Sequence, residues 1–386
     1  MKNFLKKKIK ILTVVGARPN FIKIAPLIEE LNRLNKLNKL KKLTYKLVHT
    51  GQHYDYEMSQ VFFQELKIPK PHYNLGVGSG SHAWQTAKIM EKLEPVILKE
   101  KPDLVIVVGD INSTLAGALV ATKLRVPIAH IESGLRSFDR VMPEEINRLL
   151  TDQLADYLFV TEPSAIKNLL KEGISRKNFF YVGNIMIDTL IKLRVKIKKS
   201  KIMKQLKLQP QKYAVLTLHR PSSVDDKKTF SKLISVFNEI QKKITVVYPI
   251  HPRAEKQIKK FGFKKRLKKM KKFIITPPIS YIEMIKLVME SKFIMTDSGG
   301  LQEESTFLKI PCLTLRENTE RPITLEIGSN LIVGTQKKKI LNEVNKILAG
   351  HGKKSKIPKF WDGKTARRIV KILAKYFLIN KQMEKK

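Results

Sequence analysis

Acidic side chains directly follow apolar runs at several points of the sequence, where a carboxylate could exchange a proton with a bound molecule. Asp110 comes after the run 104–109, and Glu132 ends the next apolar run. Glu144 and Glu145 begin a segment typical of a helix N-terminus. A positioned carboxylate is a common general acid or base. The residues also allow a structural interpretation, in which Asp110 caps a helix and a glutamate, Glu145 more than Glu144, stabilises a helix N-terminus.

Histidine and basic side chains occupy similar positions. His219 and Arg220 follow an apolar run, and a histidine there is a candidate general acid or a hydrogen-bonded structural residue. Arg18 lies close to Gly16, and Lys23 follows about one helical turn later. The two cations could bind an anion, although a turn followed by a helix N-terminus explains the same residues equally well.

The stretch 296–304, TDSGGLQEE, is the most specific of these motifs. An apolar run leads into Ser298, Gly299 and Gly300, where a helix is expected to begin. Exposed backbone N–H groups and the positive end of a helix dipole suit a diphosphate. The carboxylate of Glu304, one turn into that helix, suits the hydroxyls of a ribose.

Arginine is used selectively in a chain dominated by lysine. The sequence has 75 Lys plus Arg, and only 15 of them are Arg. Eight lie in or near the polar motifs: Arg18, Arg136, Arg140, Arg148, Arg220, Arg253, Arg316 and Arg321. A planar guanidinium binds phosphate or carboxylate through two parallel hydrogen bonds, so these arginines could bind an anionic ligand. Structural ion pairs are the alternative for about half of them.

The formal net charge of +41 suggests a polyanion-binding protein as one class. The lysines concentrate in apparent helices and at their ends, and the sequence has no aromatic-rich RNA-binding signature and no Cys/His finger spacing. A lysine-biased proteome or a salty cytoplasm explains the charge better, so a nucleic-acid partner is not expected.

Cysteine content and hydropathy limit the cellular compartment and the kinds of metal or membrane site that the sequence allows. The single cysteine, Cys312, excludes an intramolecular disulfide framework and a cysteine-cluster metal site, and no other metal-ligand spacing stands out. The N-terminal apolar run 11–15 is too short for a signal-peptide core. No stretch approaches the roughly 18 apolar residues of a membrane span. We therefore expect a cytoplasmic protein with no metal and no membrane contact.

Alternating strands and helices must position these motifs. Apolar runs such as 8–15, 104–109 and 127–131 are typical of buried parallel strands, and helical periodicity covers 21–43. Five further apolar runs between residues 213 and 315 repeat the pattern. Strands that alternate with helices predict an α/β protein with two Rossmann-like, doubly wound domains facing a central cleft.

The domain division follows from where the pattern restarts. We expect an N-terminal Rossmann-like domain at 1–182 and a C-terminal, nucleotide-binding one at 183–365. A C-terminal helix at 366–386 is expected to pack back on the N-terminal domain. Ligands in such sheets bind beyond the carboxyl ends of the strands, where the polar motifs lie.

Together the motifs resemble those of the non-hydrolysing UDP-N-acetylglucosamine 2-epimerases. The resemblance rests on the following stretches, in this order: GARPNFIK, TGQHYDYEM, GDINSTLAG, HIESGLRSFDRVMPEEINR, TLHR, HPR, TDSGGLQEES and LRENTERP. It implies a two-domain fold like that of GT-B glycosyltransferases, with a UDP-sugar in the interdomain cleft. It also implies reversible conversion of UDP-N-acetylglucosamine to UDP-N-acetylmannosamine, through elimination of UDP to a 2-acetamidoglucal and re-addition.

The resemblance also implies roles for individual residues. By motif, the catalytic carboxylates are Asp110, Glu132 and Glu144, and which of them takes the C2 proton stays open. His219 and Arg18 would assist the diphosphate. The remaining substrate-binding positions are Lys23, Arg220, Ser298, Gly299, Gly300, Glu304 and Arg316, with the Ser-Gly-Gly turn on the diphosphate, Glu304 on the ribose and Arg316 at the UDP end. No metal and no nicotinamide cofactor is implied, and a homodimer is common in the family.

Several positions depart from the family pattern. Pro221 and the two serines after it replace a residue followed by Glu-Asn, Ile111 replaces Thr, Ser133 replaces Ala, and Met284 replaces a Phe near the uracil. Trp84 replaces an arginine that binds an activating second substrate in many bacterial members. The alternatives are a 2-epimerase of a related UDP-sugar such as a diacetamido uronic acid, a hydrolysing 2-epimerase, a GT-B-like glycosyltransferase, and a polyanion-binding protein.

Overall fold

A computed structural model describes residues 9–36, 43–52 and 63–383. The chain divides into two compact units, one formed by 1–192 with 359–386 and the other by 193–358. Helix contacts extend the first unit beyond residue 182, because Asp188 accepts hydrogen bonds from the backbone N–H groups of Thr365 and Ala366 at 3.2 and 2.8 Å. The expected domain limits at 182 and 365 stay a prediction.

The strands of both units run parallel to their neighbours. In the first unit they are β1 (Ile9–Val15), β2 (Leu43–His49), β3 (Tyr73–Asn74), β4 (Leu104–Val108), β5 (Ile128–Ser133), β6 (Tyr157–Val160) and β7 (Phe179–Tyr181). In the second they are β8 (Tyr213–Thr217), β9 (Thr245–Pro249), β10 (Phe273–Thr276), β11 (Phe293–Thr296), β12 (Cys312–Thr314) and β13 (Asn330–Ile332).

Helices connect the strands. In chain order they are α1 (Arg18–Lys36), α2 (His82–Glu100), α3 (Asn112–Lys123), α4 (Pro143–Leu154), α5 (Pro163–Lys171), α6 (Ile185–Lys198), α7 (Ile202–Gln205), α8 (Pro221–Val224), α9 (Lys227–Lys243), α10 (Pro252–Phe261), α11 (Lys264–Lys268), α12 (Tyr281–Glu290), α13 (Gly299–Leu308), α14 (Pro322–Glu326), α15 (Lys337–Leu348) and α16 (Thr365–Met383). Within 9–36, 43–52 and 63–383, no helix is both long and apolar enough to cross a membrane.

The order of strands in each sheet reverses once, which is the defining feature of a doubly wound sheet. The first sheet has the order β3-β2-β1-β4-β5-β6-β7, and the second has the order β10-β9-β8-β11-β12-β13. The reversals therefore lie between β1 and β4 and between β8 and β11. Chain connections leave the sheet in opposite directions there, which opens a crevice at the carboxyl ends of the strands. The predicted α/β class with two doubly wound sheets is confirmed.

Strand burial explains why the sequence could predict the sheets. All five residues of β4 are fully buried apolar side chains, as expected of a strand covered by helices on both faces. The predicted helix over 21–43 is wrong at its end, because Leu43 begins β2 and pairs with Ile9. The short strands β3 and β13 were not predicted, since two or three residues carry too little apolar pattern.

Candidate active site

Asp110 lies just beyond the carboxyl end of β4, and its side chain is held by Arg148 of α4. Nη1 of Arg148, a buried residue, donates to the Asp110 carboxylate, which is 22% exposed. The side-chain amide of Asn147 donates to the Asp110 carbonyl at 2.9 Å. The N-cap of α3 is Ile111, so the alternative in which Asp110 caps that helix is wrong. A guanidinium thus holds a partly exposed carboxylate at the edge of the sheet.

Glu132 lies at the end of β5 in an unusual backbone conformation. Its φ is +76°, and the pairing of β5 with β6 shifts register between Ile131 and Ser133. The ammonium of Lys23 donates to the Glu132 carboxylate, and both side chains are buried, at 5% and 3% exposure. Left-handed backbone at a non-glycine residue is costly and is concentrated at functional sites, as are β-bulges. The bulge brings together two predicted site residues.

Gly109 lies directly against this ion pair. Its φ is +70°, and a Cβ atom at this position would lie 3.2 Å from Nζ of Lys23 and 3.3 Å from Oε2 of Glu132. Both the backbone conformation and the close approach therefore require glycine. Since Asp110 is the next residue, the Lys23–Glu132 pair and Asp110 occupy one corner of the first sheet.

The turn between β1 and α1 places Arg18 at the same edge. Oδ1 of Asn20 accepts hydrogen bonds from the backbone N–H groups of Gly16 and Ala17 at 3.1 and 3.2 Å. Nδ2 of Asn20 donates to the carbonyl of Val108 at 2.9 Å, which joins the end of β1 to the end of β4. These two strands flank the point of reversed order. Arg18 is partly exposed in the first turn of α1.

The two glutamates at the start of α4 differ in environment. The buried Glu145 carboxylate accepts from the backbone N–H and hydroxyl of Ser137, each at 2.9 Å, and from Nη2 of Arg148 at 2.6 Å. Burial favours a higher pKa for Glu145, but the donors from Ser137 and Arg148 outweigh it and hold the pKa below its usual range. Glu144 is partly exposed in the first helical turn. The structural interpretation thus fits Glu145, and Glu144 is accessible to a ligand.

A buried aspartate orients His219 in the second unit. Nδ1 of His219 lies 2.8 Å from Oδ1 of Asp297, and the backbone N–H groups of His219 and Arg220 donate to Oδ2, each at 2.9 Å. Burial opposes ionisation of Asp297, but His219 and these N–H donors lower its pKa to about 2. The ionised carboxylate faces Nδ1, while the His219 side chain is 33% exposed. The two residues follow β8 and β11, where the order of the second sheet reverses.

The N-terminus of α13 adjoins three charged side chains. Ser298 is the N-cap, yet its side chain makes no capping bond to the helix. A Cβ atom on Gly299 would lie 2.6 Å from Oε1 of Glu320, so the backbone passes very close to that carboxylate. Glu320 also lies 3.0 Å from Nη2 of Arg316 and 3.8 Å from Nη2 of Arg220. Helix N–H groups and two guanidiniums thus lie near one another.

Gly300 and Glu304 lie further along α13. Gly300 is partly exposed in the first turn, whereas Glu304 is 3% exposed. Burial, and then the charge of Glu304, raise the pKa of Tyr281 well above its usual value, which places the phenol near that carboxylate. The contact between Glu304 and a ribose stays a prediction.

The arginines are mostly engaged in ion pairs, more often than the sequence interpretation allowed. At least six of the eight form them: Arg136, Arg148, Arg220, Arg253, Arg316 and Arg321. Arg253 pairs with Asp225 at the surface. Arg136 binds Asp152 and Glu172. A guanidinium beside a glycine or proline in the sequence is therefore a weak indicator of an anion site.

Two residues that orient predicted site side chains were not identified as such from the sequence, Asp297 beside His219 and Arg148 beside Asp110. Asp297 lies within the TDSGG motif and follows a strand just as Asp110 does, which is a signal that could have been used. Arg148 lies four residues after Glu144 and therefore on the same helix face, a second usable signal. Among the residues that the structure describes, no group of three His, Cys, Asp or Glu side chains could hold a metal ion.

The fold and the two clusters define a class of protein. Two parallel sheets, each with charged side chains beyond its carboxyl edge at the point of reversed strand order, are the architecture of the GT-B-like α/β proteins. The sequence profile of the UDP-N-acetylglucosamine 2-epimerase family matches residues 35–374. The chain belongs to this family.

Individual relatives are similar over nearly their whole length. A UDP-N-acetylglucosamine 2-epimerase of Methanocaldococcus jannaschii is 44% identical over 94% of this chain and 98% of its own. A UDP-2,3-diacetamido-2,3-dideoxy-D-glucuronate 2-epimerase of Pseudomonas aeruginosa is 40% identical over 95% and 99%. The solved structure of the M. jannaschii UDP-GlcNAc 2-epimerase in complex with UDP-GlcNAc and UDP superposes with a TM-score of 0.87, at 42% identity, over 95% of this chain and 99% of that one.

Proposed function

We propose that this protein is a non-hydrolysing epimerase that interconverts UDP-N-acetylglucosamine and UDP-N-acetylmannosamine. The observation that carries the proposal is the cluster at the edge of the first sheet. Three carboxylates lie there. Glu132 has a left-handed backbone at the end of β5, Asp110 is bound by Arg148 just after β4, and the partly exposed Glu144 is in the first turn of α4. Family membership and the identity to the M. jannaschii epimerase support the choice of substrate.

The reaction separates into an elimination and an addition. A carboxylate base takes the C2 proton, the electron pair of that C–H bond forms the C1–C2 double bond, and the C1–O bond breaks with its electrons going to UDP. The products are UDP and 2-acetamidoglucal. In the reverse sense, a diphosphate oxygen of UDP adds to C1 and a proton is delivered to the opposite face of C2. No water is consumed and no redox change occurs, so the sum is isomerisation.

Proton transfer at C2 needs positioned acids and bases, because this C–H bond is only weakly acidic. Deprotonation on one face and protonation on the other require two groups, which fits a site with several carboxylates. Asp110, Glu132 and Glu144 are the candidates. The ammonium of Lys23 donates directly to the Glu132 carboxylate and holds it in place.

The departing diphosphate needs donors and positive charge. In the second unit, we assign this role to His219, oriented by Asp297, and to the N–H groups at Ser298, Gly299 and Gly300. On the first unit, Arg18 is the cation assigned to the diphosphate. Arg220 and Arg316 complete the anion-binding groups, and Glu304 is assigned to the ribose.

A second candidate substrate is a UDP-linked 2,3-diacetamido uronic acid. The 40% identity to the P. aeruginosa enzyme of that specificity favours it, and the same elimination and addition would apply. Purified protein should be incubated with either UDP-sugar in water, and the products separated by ion-pair chromatography with mass detection. The proposal predicts UDP-N-acetylmannosamine with no net release of UDP. Free N-acetylmannosamine with stoichiometric UDP would indicate hydrolysis, and turnover of the uronic acid alone would replace the substrate.

Further features of the proposal have their own tests. Because elimination and addition are redox-neutral, activity should need no nicotinamide. Because side chains and backbone N–H groups are assigned to the diphosphate, activity should also be unchanged after dialysis against EDTA. We also propose a cytoplasmic homodimer, for which sedimentation should give about twice the mass of the 44.4 kDa chain. A monomer at micromolar concentration would contradict the dimer while leaving the reaction unaffected.

A further inference from the structure

A buried carboxylate connects the elements that carry the catalytic candidates in the first unit. Oδ1 of Asp152 lies 2.6 Å from Nδ1 of His130, and Oδ2 accepts from the backbone N–H of Gly134 at 2.9 Å. The other ring nitrogen of His130, Nε2, lies 2.8 Å from the carbonyl oxygen of Gly109. The histidine and the aspartate are both buried, at 0% and 1% exposure. Because both side chains are buried, neither is accessible to a ligand.

The contacts of this pair lie beside two of the three candidate carboxylates, Glu132 and Asp110. His130 precedes Glu132 by two residues and Gly134 follows it by two, so both bonds from Asp152 bracket the bulge. Gly109, bonded to His130, immediately precedes Asp110. Asp152 thus contacts residues on both sides of Glu132, and His130 extends the contact to the backbone beside Asp110.

The helix that carries Asp152 completes the set. Glu144, Arg148 and Asp152 follow one another at intervals of four residues on α4, so they share one face of the helix. The first is partly exposed, the second holds Asp110, and the third holds His130 and Gly134. One face of α4 therefore carries Glu144 and the two side chains that contact Asp110, His130 and Gly134.

We propose that Asp152 and His130 are positioning residues for the epimerisation, which fix the left-handed backbone of Glu132 and the Gly109 peptide. The proposal rests on the proposed function. A left-handed conformation at a non-glycine residue persists only where the surroundings over-determine it. The two bonds from Asp152 supply that constraint, and Arg136, whose Nη2 lies 2.7 Å from Oδ2 of Asp152, anchors the carboxylate itself.

The test compares two aspartate-to-asparagine changes in buried sites of the same unit. Asp152→Asn should lower kcat about 100-fold with KM little changed, because misplacing a catalytic group by about 1 Å has effects of this size. Asp188→Asn is the matched control, since Asp188 is 5% exposed and its carboxylate accepts from the start of α16, where none of the candidate site residues lies. It should keep the wild-type kcat. An active wild type with unaffected Asp152→Asn would overturn the inference, whereas an inactive wild type would overturn the proposed function.

A double-variant cycle separates positioning from general destabilisation. If Asp152 acts through Glu132, adding Asp152→Asn to Glu132→Gln should lower residual C2 exchange by no more than about twofold. If the losses of exchange in the two single variants multiplied in the double variant, Asp152 would act independently of Glu132, and the positioning role would be contradicted. Where Asp152→Asn does not fold, His130→Gln, which keeps an N–H donor, is measured in its place.

Hydrogen exchange gives a readout that needs no substrate. The Gly134 amide should lose protection in folded Asp152→Asn and keep it in Asp188→Asn. Unchanged protection would show that Asp152 does not hold the bulge.

Discussion

His219 and Asp297 follow neighbouring strands of the second sheet, with Nδ1 of the histidine 2.8 Å from Oδ1 of the aspartate. The first unit has a comparable pair, His130 and Asp152, at 2.6 Å. In that pair both ring nitrogens of His130 contact protein acceptors and the ring is fully buried. The His219 side chain is 33% exposed, so it is the histidine of the two that a ligand could reach.

Removing the charge of Asp297 should impair turnover more than binding. In Asp297→Asn the neighbour of Nδ1 can donate as well as accept, so the ring is no longer fixed with its proton at Nδ1 and can adopt the other tautomer, which carries its proton at Nε2. A comparable loss of an orienting carboxylate in other enzymes costs about 10⁴ in kcat. We expect a fall of at least about 10²-fold, measured by product formation at saturating substrate. His219→Asn combined with Asp297→Asn should be no slower than His219→Asn alone, and losses that multiply would contradict a shared role.

Gly109→Ala should lower activity through steric contact with the ion pair beside it. The added Cβ would lie 3.2 Å from Nζ of Lys23 and 3.3 Å from Oε2 of Glu132, at a φ of +70°. We expect kcat to fall about tenfold to 100-fold. Gly173→Ala is the matched control, because Gly173 has a φ of +79° and a Cβ added there would meet nothing within 4 Å. It should lose about 1 kcal/mol of stability with normal kcat. Equal kcat in the two variants would refute the steric argument.

Glu144 and Glu145 should respond differently to the same change. Glu144→Gln removes an accessible carboxylate, so kcat should fall about 10²-fold or more while the melting temperature stays near wild type. Glu145→Gln disrupts a buried carboxylate bound by Ser137 and Arg148, so the melting temperature should fall by several degrees. Thermal unfolding and initial rates on both proteins check this. A stable, fully active Glu144→Gln would remove it from the catalytic set.

The stability of the first unit should carry a pH signature from Asp188. Burial raises the pKa of its carboxyl to about 6, above the value of about 3.9 in an unfolded chain. A raised folded pKa gives stability that is complete below about pH 4 and is lost as the pH rises through 6. Asp188→Asn removes this loss, so the variant should gain about 3 kcal/mol relative to wild type between pH 4 and 7.5. Urea unfolding measures this difference. If variant and wild type differed in unfolding free energy by the same amount at pH 4 and at pH 7.5, the raised pKa of Asp188 would be contradicted.

The sequence could predict the sheets because their strands are buried on both faces. The apolar run of β4 and the strands β10 and β11 lie where the pattern indicated. The charged motifs after them could be placed at the carboxyl edge for the same reason. The end of α1 was predicted too late, since apolar and lysine residues up to Leu43 continue a helical pattern that strand pairing overrides.

Contacts between distant residues could not be predicted from spacing. The left-handed Glu132 depends on the register shift between β5 and β6, and its contact with Lys23 joins residues 109 positions apart. Likewise, the hydrogen bond from the backbone N–H of His219 to the Asp297 carboxylate spans 78 positions. Such contacts follow from the order of strands in the sheet, which local patterns do not specify.

The most direct test of the proposed reaction is proton NMR of UDP-N-acetylglucosamine with the purified protein in deuterium oxide. We predict UDP-N-acetylmannosamine with deuterium at C2, and gradual loss of the C2 proton signal from the starting sugar as the reaction reverses. Epimer that keeps its protium at C2 would contradict a reaction that passes through exchange of that proton with a solvent-equilibrated carboxylate. So would a substrate signal that stays unchanged with no product.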